Sequence, residues 1–197
     1  MTICNGRGRR PVEGFTLVEV LVVTAVLVIM SAVAMPQLGR ALDNYRLGMA
    51  VREVERELQA ARVSAVTANR TVRVRFDCPV AGQFRRVEVL AEPGVPDARD
   101  NLLSRCNPAA FPYPAADLDP LTRPNLDGPL HYLPTGVTVG GVAGFEFHPD
   151  GTAWSNAAGG LGTWEAIAPA GTAVTVAKAG RTRSVLVNGM GRVFVQP

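Results

Sequence analysis

Three cysteines and two histidines are all that 197 residues offer a soft metal. No two of them stand at the paired spacing of a zinc site, so no metal is expected. The chain also lacks a glycine-rich phosphate loop, a His-Glu-x-x-His helix and a Gly-x-Ser-x-Gly elbow. Their absence removes the usual signatures of nucleotide, metalloprotease and serine-hydrolase chemistry. His131 and His148 sit beside turn residues with no evident partner, which reads as loop structure. Asp150-Gly151 is explained by turn geometry. We therefore expect no enzyme, no catalytic residue and no cofactor. An excess of one charge is missing too. The net charge is +3, a weak argument for a nucleic-acid partner.

What the chain does have is one long hydrophobic run. Gly14-Phe15-Thr16-Leu17-Val18-Glu19 opens a segment that stays apolar to Met35. Phe15 to Met35 spans about 31 Å as a helix, enough to cross a bilayer. The basic stretch from Arg7 to Arg10 marks the cytoplasmic side. Glu19 is the anomaly. An acidic group in bilayer interior costs about 2.5–3.5 kcal/mol on insertion scales, so it points to a function. A secretory signal cut after Ala32-Val33-Ala34 is the competing reading, but the run exceeds the usual h-region and would leave Glu19 misplaced inside it. A plain membrane anchor is compatible with either.

These residues resemble the class III signal of type IV prepilins and type II secretion pseudopilins. The resemblance implies that a prepilin peptidase cuts after Gly14, removes residues 1–14 as a leader, and methylates the new N-terminus at Phe15. It implies that Glu19 pairs with the N-terminal amine of a neighbouring subunit in a filament, since a buried carboxylate needs a cation. Inner-membrane lipid would hold the helix before assembly, with the remainder in the periplasm, and other pilins or pseudopilins would hold it afterwards. Loss of the leader removes Cys4 and a net +2, leaving about +1 of the whole-chain charge. Cys78 and Cys106 remain. Export suggests a disulfide between them; two buried free thiols are the alternative.

The helical pattern continues past the apolar run. Pro36 follows it, where pilins often carry a kink-forming proline. Leu47, Val51, Val54, Leu58, Ala61 and Ala65 then recur at helical spacing. Arg52, Glu53, Glu55, Arg56 and Glu57 occupy the other faces. One helix is expected from Phe15 to Ala68, membrane-embedded over 15–35 and amphipathic over 36–68, with Asn69 as its stop. Beyond it the period becomes two. Val72, Val74 and Phe76 alternate with Arg73 and Arg75 as a half-buried strand, and Val87 and Val89 alternate with Arg86 and Glu88. Cys78 to Gly82 forms the turn between them. Residues 91–129 read as a long Pro-rich irregular excursion. Further strands are expected at Val137–Val139, Phe145–Phe147, Thr163–Ala168, Thr172–Ala177, Arg181–Val187 and Arg192–Val195. Turns fall at His148–Gly151 and Asn188–Gly191, with a flexible tip at Ala157–Gly160.

One long N-terminal helix followed by an antiparallel β-rich head over 69–197 is an α+β, pilin-like arrangement. Phe147-His148-Pro149-Asp150-Gly151, and Gly191-Arg192 after Asn188, resemble the GspH/FimT branch. That branch includes minor pseudopilins of type II secretion and minor pilins of type IV pili, some of which bind DNA through a C-terminal Gly-Arg-x-Arg. Here Arg192 matches the first arginine and Phe194 replaces the second. Arg73 and Arg75 with Arg86 on one strand face, and Arg181 and Arg183 on another, would have to supply the phosphate contacts. A solvated strand face that discourages edge pairing is the favoured reading of those arginines. Trp154 and Trp164 are assigned to core packing.

Overall fold

The computed structural model describes residues 14–89, 105–115, 126–157 and 164–196. Residues 1–13 of the expected 1–14 leader, residues 158–160 of the expected 157–160 tip and much of the Pro-rich excursion lie outside them. One helix and ten strands follow in order: α1 (Leu17–Ala68), β1 (Val72–Phe76), β2 (Gln83–Glu88), β3 (Leu130–Tyr132), β4 (Thr138–Gly140), β5 (Val142–Phe147), β6 (Ala153–Ala157), β7 (Glu165–Ala166), β8 (Thr172–Lys178), β9 (Arg181–Val187) and β10 (Val193–Gln196). The chain divides into two units, the first ending at Leu42 and the second beginning at Asp43.

In the first unit the side chains from Leu17 to Leu42 are all exposed. This stretch opens the one described helix that is long and apolar enough to cross a membrane. Pro36 lies inside α1, where it removes one backbone donor from the ladder.

In the second unit α1 is amphipathic. Leu47, Ala50, Val51, Val54, Leu58, Ala61 and Ala65 are buried along one face at 3–4-residue spacing. The helix stops by a left-handed cap. Asn69 has φ 52°, and the Arg70 N–H donates to Ala65 O at 3.1 Å, the bond of a Schellman ending. Asparagine tolerates that conformation better than other side-chain-bearing residues do.

The strands form two antiparallel sheets. One has the order β3-β2-β1-β5-β6-β7, the other β10-β9-β8-β4. Val174 and Val176 of β8 and Val185 and Val187 of β9 alternate inward, and join Val72, Val74, Phe76, Phe145 and Phe147 in one core cluster with the helix face. The α+β expectation is borne out. Several strands differ in extent: β4 and β10 are each displaced one residue toward the C-terminus, β5 begins three residues earlier, β8 continues to Lys178, β2 begins at Gln83 and ends at Glu88, and of the expected Thr163–Ala168 only Glu165–Ala166 pair among the described residues. The short strand β3 and strand β6 carried no clean alternation to announce them.

The half-buried reading of β1 is corrected. Every residue from Val72 to Phe76 is buried, because β1 sits between β2 and β5 near the middle of its sheet and both faces are covered. Val72, Val74 and Phe76 belong to the core. On the other face, the Arg73 guanidinium lies 4.5 Å from the centre of the Trp164 ring.

Candidate functional site

The first candidate site is the head of α1. Thr16 is its N-cap. The Glu19 N–H donates to Thr16 Oγ1 at 3.2 Å, and the Val20 N–H donates to Thr16 O at 3.2 Å. Thr-x-x-Glu is the spacing of a capping box. It puts the Glu19 carboxylate in the first turn, where the helix dipole favours a negative charge. Gly14, Phe15 and Glu19 are all exposed, and so are the apolar side chains that follow. The arrangement offers an anionic group at the tip of an uncovered apolar rod.

The second is a set of buried charges in the head. Arg73 and Glu146 are paired in register across β1 and β5, and the Arg73 Nε–H donates to Glu146 Oε2. His148 Nε2 lies 2.8 Å from Glu146 Oε1, and its ring stacks on Trp154 with centroids 5.1 Å apart. Burial alone would raise the Glu146 pKa, but the hydrogen bond from His148 and the Arg73 charge outweigh it and hold the carboxyl below its ordinary value. Arg75, buried beside Arg73 and Arg105, has its pKa lowered to about 10, with desolvation the leading cause.

A third group orders the described part of the excursion. Cys78 and Cys106 form a disulfide with their Cα atoms 5.2 Å apart. Arg85 is buried, and its guanidinium donates to three backbone carbonyls: Gly128 O at 2.8 Å, Arg105 O at 3.0 Å and Phe111 O at 2.6 Å. Arg105, also buried, donates to Asp127 Oδ1 at 2.8 Å and to Glu88 O.

These contacts correct several sequence-based expectations. Arg73 and Arg75 do not line an exposed face, since they are 1% and 6% exposed; neither can reach a phosphate. Arg86 is half-buried beside Glu57, with 3.6 Å between Nη1 and Oε1. Arg181, Arg183 and Arg192 are exposed. Arg181 donates to Asn44 Oδ1 of α1, and Arg192 follows the Asn188–Gly191 turn, where the Asn188 side chain accepts its N–H at 2.9 Å. The proposed stripe on β1 and β2 is thus lost to the interior, while the β9 pair and Arg192 remain at the surface of the other sheet. Glu57, read as a polar-face residue, is 5% exposed. His131 and His148, read as loop histidines without partners, both meet carboxylates. The available signal was an arginine or glutamate at strand positions whose neighbours on both sides are also strands; such charges are buried and must pair.

Against known families, residues 9–35 match the prokaryotic N-terminal methylation motif. No curated protein sequence matches the chain. Two crystal structures of the type IV minor pilin FimU from Pseudomonas aeruginosa are similar to it at 15% identity. One covers 79% of this chain and 91% of its own at a TM-score of 0.46; the other covers 76% and 92% at 0.44. The chain thus carries a prokaryotic N-terminal methylation motif at the head of one long helix, which an antiparallel β-rich region follows.

Proposed function

We propose that the chain is a minor pilin or pseudopilin subunit of the GspH/FimT kind. Prepilin peptidase cuts between Gly14 and Phe15 and methylates Phe15. Residues 15–35 then anchor the subunit in the bacterial inner membrane, 36–68 continue the helix, and 69–197 form a periplasmic head. Assembly transfers the apolar helix from lipid to a filament with other pilins or pseudopilins, in a type II secretion pseudopilus or a type IV pilus.

The observation that carries this reading is the match of residues 9–35 to the methylation motif. The exposed apolar run from Leu17 supports it, because so much uncovered hydrocarbon demands lipid or other helices around it. Glu19 supports it as the one acidic residue of that run. In a filament core it would need a cation within reach, and a methylated amine at a neighbour's Phe15 has the right charge.

The test is co-expression with a prepilin peptidase and the filament system. N-terminal sequencing is expected to begin at methylated Phe15, and a start at Met35 would overturn the proposal. Glu19→Val is expected to be processed normally yet to be lost from sheared filaments. Normal recovery of Glu19→Val would remove the assembly role from that carboxylate. Replacing Gly14 by a large residue is expected to leave the chain uncut in the membrane. Complementation of secretion or of piliation in strains lacking each minor subunit separates the two machines.

A further inference from the structure

His131, on β3, is held between two carboxylates of α1. Its Nδ1 lies 2.8 Å from Glu53 Oε1 and its Nε2 lies 3.3 Å from Glu57 Oε2. Glu53 and Glu57 are one helical turn apart, so they present to the same face. The ring stacks on Phe84 of β2, with centroids 4.9 Å apart, and its side chain is 12% exposed.

A neutral imidazole carries one N–H and one lone pair. In this cradle the lone pair would face a carboxylate whichever nitrogen held the proton. Only the imidazolium presents an N–H toward both carboxylates. The remaining charges around it do not replace that proton. Arg56 is bonded to Glu53 at 2.7 Å. Arg86 of β2 lies 3.6 Å from Glu57 Oε1 and donates to Leu126 O at 3.3 Å. Gly128, on the approach to β3, leaves room for the Glu57 carboxylate: a Cβ there would come within 3.1 Å of Oε1.

β3 has little else to hold it. It is three residues long, at the edge of its sheet, and none of its residues is fully buried. Among the described residues it pairs only with β2, through Gln83↔Tyr132, Phe84↔His131 and Arg85↔Leu130. On either side the Gly128 N–H donates to Arg86 O and the Leu133 N–H donates to Gly82 O, each at 2.9 Å.

We propose that His131 is a pH-sensitive clasp: as an imidazolium it fastens the edge strand β3 to α1, and its deprotonation frees β3 and uncovers the edge of β2. The flanking backbone bonds confine the release to the strand, and Arg86 remains beside the buried Glu57, so the rest of the head stays folded. An uncovered edge is a template for another strand, which makes the clasp a control on what the head pairs with. The contact with Glu57 holds the His131 pKa above its ordinary value; burial opposes the shift, and the charges of Glu57 and Glu53 add to it. The clasp is therefore closed below about pH 6.5 and opens as pH rises through the elevated folded value.

The test uses the full chain in detergent micelles. NMR titration of its two histidines gives the His131 midpoint, and hydrogen exchange, corrected for intrinsic rates, gives protection at Leu130–Tyr132. The His131 midpoint is expected above that of a free histidine. Protection at β3 is expected to fall about tenfold as pH rises through it, while β1 protection holds. Glu53→Gln is expected to lower the midpoint and move the loss of protection with it. His131→Gln is expected to leave β3 weakly protected at every pH. β3 protection that stays flat across the wild-type titration overturns the proposal. So does a pH dependence that survives in His131→Gln, or one that fails to move in Glu53→Gln.

Discussion

Arg73 and Glu146 face each other across neighbouring strands and meet in the interior, where they are 1% and 0% exposed. Taking two charges out of water is costly, and each stabilises the other only while both are present. The expected asymmetry is sharp. Arg73→Met leaves a buried carboxylate without the cation paired to it across the strands, and should cost about 3–5 kcal/mol. Arg73→Met with Glu146→Leu should recover much of that loss, since an apolar pair of similar volume is often neutral there. Denaturant midpoints of the two variants in detergent decide it.

The same carboxylate gives the head a limit on the acid side. The pKa of Glu146 is lowered in the folded state. Its contribution is therefore present above its unfolded value and drains as pH falls through the folded one. Unfolding midpoints should decline below about pH 4.3, and Glu146→Gln should flatten that decline. His131 acts at the other end of the scale, with the opposite sign.

Reduction should loosen the head. Cys78 and Cys106 close a loop of 28 residues in sequence separation, which in the chain-entropy model stabilises by about 3–4 kcal/mol. Cys78→Ser with Cys106→Ser should lower the midpoint by that amount. Limited proteolysis should cut the double variant faster than the parent. Equal resistance of variant and parent would show that the buried contacts of Arg85 and Arg105 hold the head without the disulfide.

At Gly144 the backbone of β5 lies close against β1. A Cβ on it would stand 2.6 Å from Val74 O and 3.3 Å from the Trp164 ring. Gly144→Ala should push the strands apart or displace the indole from Arg73, at a cost of about 1–3 kcal/mol. Intrinsic fluorescence should change as well, because Trp164 is buried against that guanidinium.

Periodicity carried the parts of this fold in which one side of an element faces water. Leu47 to Ala65 marked the buried face of α1, and Val185 and Val187 marked β9, because the residues between them are less buried than they are. It misled on β1. The alternation of valine with arginine looked like an inside and an outside, yet both faces are interior. Nothing local distinguishes an arginine that faces water from one that meets a glutamate 73 residues away. Glu57 failed for the same reason: its partners Arg86 and His131 come from β2 and β3. At the head of α1, by contrast, Thr16, Glu19 and the apolar run are neighbours in sequence. Their cap and their exposure are local properties, and the six residues from Gly14 displayed them.

Arg85 reaches the excursion only through main-chain oxygens, at Arg105, Phe111 and Gly128. A carbonyl is the same on every residue. The Arg85 hydrogen bonds therefore do not depend on the side chain of Phe111, whereas Cys106 and Asp127 are fixed by their side chains, through the disulfide and the Arg105 contact. Main-chain recognition of this kind tolerates a change of residue at Phe111 as long as the backbone keeps its course.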